Sequence, residues 1–112
     1  MMPPAPAVPE ITIDQAKDQL ALGEAIFVDV RDPDSFQQAR IPGALNLNNG
    51  NVQTFLQETA KDQAIVVYCY HGNMSKGATD FFLRQGFERV HSMAGGFESW
   101  RLHYDFDSGA TA

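Results

Sequence analysis

The chain has 112 residues, 44% of them hydrophobic, and a formal net charge of −6. That is room for one domain with a true core, while the acidic balance disfavours nucleic acid and anionic membrane surfaces, both of which need clustered Lys and Arg, and no apolar run approaches the roughly 20 residues of a membrane span. A single cysteine rules out an internal disulfide, and without a Cys/His array at metal-ligand spacing neither a metal nor another cofactor is expected; a reducing, cytoplasmic setting fits best.

Residues 1–9 are rich in proline and lack the basic and apolar regions of a secretory signal. They are expected to form a flexible arm, with the domain over 10–106 and a flexible polar tail over 107–112. Ile11 and Ile13 fit a brief strand or a lead-in to the helix that follows. Residues 14–22 place Ala16, Leu20 and Ala21 together on a short helix that Gly23 ends. Residues 25–30, AIFVDV, are β-branched and aromatic and lie between turn signals, which predicts a buried strand. A helical turn follows over 34–40, closed by Ile41-Pro42-Gly43. A short strand is expected at 44–47, a loop at 48–51, and a helix at 52–60 with Val52, Phe55, Leu56 and Thr59 on one side.

Residues 64–68 are apolar on both alternating faces, as in the middle of a covered parallel sheet. The spacing of Ala78, Phe81 and Phe82 predicts a helix over 75–85 with Gly86 as its stop. A last strand at 89–93, a turn at Gly95-Gly96 and a helix carrying Phe97, Trp100 and Arg101 complete the alternation. Strands alternating with helices give an α/β fold with a mostly parallel sheet covered on both sides, and such sheets place ligands beyond the carboxyl ends of their strands.

The stretch 65–76, IVVYCYHGNMSK, carries the most chemistry, because it delivers the only cysteine, Cys69, from an apolar run into a polar loop containing Gly72. A thiol at a strand end, ahead of a helix starting near Ser75, can face loop N–H groups and a helix N-terminus, both of which favour thiolate. A free cysteine is equally at home there as a small core hydrophobe. Gly72 lets the loop curl tightly or makes an ordinary strand-to-helix turn, and Lys76 adds a positive charge or sits in solvent. His71, two residues from the cysteine on the same loop, suits a substrate rim better than a dyad, since a general base is usually brought from elsewhere and oriented by a third group. His91 and His103 read as surface or structural. Within 29–34, DVRDPD, Asp29 and Arg31 read as a structural ion pair or cap rather than a carboxylate site. Phe97 and Trp100 read as core rather than as an aromatic binding box.

Two reactions suit a thiolate in an anion-binding loop. A cysteine phosphatase or arsenate reductase of the Cys-X5-Arg kind needs an arginine six positions after the cysteine to clamp a tetrahedral anion, and here that position is Ser75. It also needs a carboxylic acid to protonate a poor leaving group. Sulfur transfer asks for less: a thiolate attacking the outer sulfur of thiosulfate expels sulfite, already a good leaving group.

Four ordered motifs, VDVRDPDSF at 28–36, ARIPGALNL at 39–47, VVYCYHGNMSKGA at 66–78 and MAGGFESW at 93–100, make the chain resemble the rhodanese family nearly end to end, and most closely its single-domain thiosulfate sulfurtransferases. The resemblance implies a five-stranded parallel sheet flanked by helices and Cys69 as the nucleophile that accepts sulfur. It implies a six-residue active loop, residues 69–74, one residue shorter than in phosphatase-like relatives. The persulfide and its donor would be bound by Tyr70, His71, Gly72, Asn73, Met74, Ser75 and Lys76. It also implies thiosulfate as donor, cyanide or a thiol as acceptor, a thioredoxin-like protein among the candidate acceptors, and a monomer or weak homodimer. A non-catalytic rhodanese-like module that binds a protein partner is the competing expectation. Two positions depart from the family pattern: Met74 stands where Arg, Ser or Thr is usual, and Arg40 replaces the His of an HIPGA motif.

Overall fold

The computed structural model describes residues 7–109. The order of elements is β1 (Glu10–Ile11), α1 (Ile13–Leu22), β2 (Ala25–Asp29), α2 (Pro33–Gln38), β3 (Leu45–Asn46), α3 (Val52–Glu58), β4 (Ala64–Tyr68), α4 (Met74–Arg84), β5 (Val90–Met93) and α5 (Gly96–His103). The five strands form one sheet in the order β1-β5-β4-β2-β3, every pair parallel. β4 is the middle strand, as its two apolar faces predict.

The alternation of side chains along β4 divides the core. Ile65 and Val67 join Val28, Phe55, Phe82, Phe87 and Val90 on the face covered by α3 and α4. Val66 and Tyr68 join Phe27, Met93, Phe97 and Trp100 on the face covered by α1 and α5. Each such buried side chain contributes about 1.5–3 kcal/mol, so a slip of one residue in the β4 register would turn both faces inside out. Trp100 is fully buried and donates its indole N–H to the Asp105 carbonyl at 3.0 Å, which places it in the core, as expected.

Local chemistry explains where the ends differ from the sequence reading. The brief strand stops at Ile11, because Thr12 and Gln15 form a capping box that makes Ile13 the first helical residue. Asp32 caps α2 with Pro33 in its first turn, and the helix ends at Gln38, before Arg40. Arg40 instead pairs with Asp107 in an antiparallel bridge, lies over the Phe36 ring, and donates to the carbonyls of Phe36, Gln37 and Gly109. The arginine that replaces the family histidine thus holds 107–109, part of the expected tail, against the domain. Residues 110–112 of that tail and residues 1–6 of the expected arm lie outside the described residues. The arm's last residue, Pro9, offers its carbonyl to Ser92 N–H at 2.9 Å and so extends the β1–β5 ladder. Among the described residues no helix is long and apolar enough to cross a membrane.

Candidate active site

Cys69 leaves the carboxyl end of β4 with only 2% of its surface exposed. The chain then turns back on its sulfur. Gly72 N–H reaches Sγ at 3.2 Å and Ser75 N–H at 3.3 Å, and Ser75 Oγ lies 3.5 Å away. The turn needs Gly72, whose φ of 97° is a backbone region open to glycine but strained for other residues. Space is equally short there, since a Cβ on Gly72 would sit 3.1 Å from Gly95 N and 3.4 Å from Met93 O.

The N–H groups point inward because the carbonyls are engaged elsewhere. Phe97 N–H takes the Cys69 carbonyl at 2.8 Å and Glu98 N–H takes the Tyr70 carbonyl at 3.0 Å, both from the open first turn of α5. Gly96, at φ 62°, lets the two backbones meet, and a Cβ there would overlap the Tyr70 carbonyl. The Gly95-Gly96 pair, predicted only as a turn, is therefore the seat of the loop.

Electrostatics follow from this arrangement. Burial pushes the Cys69 thiol up, but hydrogen bonds from the Ser75 hydroxyl and from the N–H groups of Ser75, Gly72 and His71 outweigh it and bring the thiol below its ordinary value. The start of α4 at Met74, directly after the loop, adds the positive end of a helix dipole. Cys69 is thus both a buried core residue and a thiol whose surroundings favour its ionised form. The two sequence readings of it describe the same atom.

The remaining loop residues divide by role. Tyr70 donates its hydroxyl to Asp32 Oδ1 at 2.6 Å and also meets the Ser35 hydroxyl, tying the loop to the N-cap of α2. These bonds hold the Asp32 carboxyl at about 2. His71 is exposed, and so are Asn73, which precedes α4 without a side-chain cap, and Met74, at 61%. Lys76 turns to the sheet edge, where Nζ stands 4.0 Å from Glu10 Oε1. Asp29 and Arg31 form the expected structural pair, both buried, with Arg31 Nη2 2.6 Å from Asp29 Oδ2 and equally close to the Ala39 carbonyl.

Two contributors escape sequence reasoning. Ser92 on β5 is fully buried and places its Oγ 2.8 Å from Ser75 Oγ. Thr79, one turn along α4, donates to the Ser75 carbonyl at 2.7 Å. Neither lies in a stretch whose composition marks a site.

The rhodanese-like domain family matches residues 12–103. Among solved structures, the chain is similar to the BH2092 protein from Bacillus halodurans, at 27% identity and a TM-score of 0.77, covering 93% of this chain and 81% of that one. It shares its fold with the human single-domain sulfurtransferase TSTD1, at 22% identity and a TM-score of 0.78, covering 88% of this chain and 100% of that one. It is also similar to a Rhodopseudomonas palustris protein of unknown function described as a possible tyrosine phosphatase, at 25% identity and a TM-score of 0.71, covering 84% and 80%. From the sheet order, the cysteine loop and a match spanning most of its length, the chain belongs to the rhodanese-like domain family.

Proposed function

We propose that the protein is a thiosulfate sulfurtransferase working through a persulfide on Cys69. The thiolate attacks the outer sulfur of thiosulfate; the S–S bond of the donor breaks, and sulfite leaves with the bonding pair. The new terminal sulfur carries the negative charge until cyanide or a thiol attacks it, releasing thiocyanate or a persulfide of the acceptor and returning the thiolate. A thioredoxin-like protein in the cytoplasm is a fitting acceptor, given one unpaired cysteine in a chain without disulfides.

What carries this reading is the convergence of Gly72 N–H and Ser75 N–H on a depressed Cys69 thiol. Such a cradle lowers the cost of the first anion and then stabilises the second, displaced by one sulfur atom. A phosphatase reading fares worse on two observations. Ser75 occupies the place of the clamping arginine. Asp32, the carboxylate bonded to Tyr70 beside the loop, is held at about 2 and is ionised at neutral pH, so it has no proton to give an alkoxide.

Intact-mass spectrometry after incubation with thiosulfate tests the proposal. The expected result is a gain of about 32 Da, removed by cyanide and absent from Cys69→Ser. No adduct with any sulfane-sulfur donor would favour a non-catalytic binding module instead.

A further inference from the structure

Cys69 Sγ, Ser75 Oγ and Ser92 Oγ form a buried chain, with gaps of 3.5 Å and 2.8 Å. Ser75 and Ser92 are both fully buried, and among the described residues the Ser92 hydroxyl has no other hydrogen-bond partner. We propose that Ser92 is a positioning residue, whose hydroxyl donates to Ser75 Oγ and thereby holds the Ser75 O–H on the Cys69 sulfur.

Counting hydrogens gives the direction of the chain. With Cys69 as a thiol, three hydrogens (one on sulfur, two on the serines) compete for two gaps, so one must find an acceptor outside the chain or be stranded away from water. A stranded buried donor is costly. With Cys69 as a thiolate, two hydrogens fill two gaps, running from Ser92 to Ser75 to sulfur. Only the ionised state satisfies every member from within the chain.

Removing the Ser92 hydroxyl has a defined consequence. Ser75 loses the donor that polarises its oxygen and selects its rotamer. Its hydroxyl is then free to turn toward backbone carbonyls, as serines in a first helical turn do. The main-chain cradle is untouched, because the Gly72 and Ser75 N–H groups bond to Cys69 Sγ and not to Ser92. Thr79 restrains Ser75 from the other side, through its carbonyl, and so fixes the backbone and not the hydroxyl.

The effect is on thiolate formation and applies to any electrophile, so it stands or falls separately from sulfur transfer. The single cysteine makes the measurement unambiguous. The pH dependence of Cys69 alkylation by iodoacetamide is read in the parent, Ser92→Ala, Ser75→Ala and the double variant. Ser92→Ala should move the midpoint up by about half a unit, which is about threefold slower alkylation at lower pH. Ser75→Ala should move it further, and in the Ser75→Ala background the Ser92 change should add nothing. An unmoved midpoint in Ser92→Ala overturns the proposal. So does a Ser92 effect that persists without the Ser75 hydroxyl, because that effect reaches sulfur by another route. Ser92→Gly removes the same hydroxyl and carries the same expectation if the alanine variant fails to fold; failure of both to fold would make the hydroxyl a structural group and likewise overturn the proposal.

Discussion

The Tyr70 hydroxyl donates to Asp32 Oδ1 at 2.6 Å, so the residue after the nucleophile is moored to the N-cap of a helix that follows a different strand. Tyr70→Phe keeps the ring beside Arg31, 5.5 Å from the guanidinium carbon, and removes only the hydroxyl with its bonds to Asp32 and Ser35. Loop amides at 71–75 should then exchange faster with deuterium, and Cys69 alkylation at neutral pH should slow by about twofold as the N–H groups converge less tightly. Exchange equal to the parent's would show that the mooring does not govern the loop.

Gly96→Ala should be the most damaging single methyl in the chain. The position needs a left-handed backbone, and the added carbon meets the Tyr70 carbonyl, which is backbone and has little room to yield. A loss of at least about 2 kcal/mol is expected from strain alone, readable as a lowered midpoint in urea. Loss of persulfide formation should accompany it. Gly23→Ala shares the positive φ but has nothing within 4 Å to meet. It should cost less and leave Cys69 reactivity unchanged.

The Asp29–Arg31 pair sits in the core with its guanidinium over Phe97, 4.5 Å from the ring centre. Asp29→Asn leaves a buried arginine without its counter-charge and should destabilise the fold by about 3–5 kcal/mol. Replacing both residues with apolar ones of similar volume should cost less than the single change. Equilibrium denaturation of the single and double variants decides the matter.

Because the folded Cys69 thiol lies below its ordinary value, alkylation should show a midpoint below about 8.5. The same shift has a consequence for stability. A depressed folded pKa contributes stabilisation that is fully present above the unfolded value and is lost as pH falls through the folded one. Raising the pH from about 6 to about 9 should therefore increase the thermal stability of the parent relative to Cys69→Ser. A constant gap between the two would contradict it.

Met74 begins α4 with 61% of its surface exposed, at the rim of the loop, and its thioether offers a dianion no donor. Met74→Ser and Met74→Arg should each lower the KM for thiosulfate. Steady-state kinetics showing an unchanged or higher KM in both variants would remove Met74 from the donor site.

Much of this was readable from the chain because it is local. β4 declares itself through two apolar faces, and Cys69, Gly72 and Ser75 lie within one short segment whose turn residues suit a strand-to-helix junction. What escaped depends on register. Ser92 reaches Ser75 only because β5 lies beside β4 and α4 returns across both, and the Gly95-Gly96 seat depends on two loops meeting after separate strands. The pairing of Lys76 with Glu10 likewise depends on the edge strand lying under the start of α4, so a cation predicted for the anion seat is shared with a carboxylate. Ile13 joins the helix and not the strand for a local reason: the capping box at Thr12 and Gln15 outweighs its β-branched preference.

For the sulfur transfer proposed above, the loneliness of Cys69 bears on how long sulfur would stay aboard. With no second thiol in the chain, a sulfur atom or an oxygen added to Cys69 finds no neighbour to expel it. Discharge would then wait for a visitor, and the visitor would have to reach a residue that is only 2% exposed. In the proposed reaction, access to the buried sulfur therefore bears on the residence time of the cargo alongside the reactivity of the acceptor.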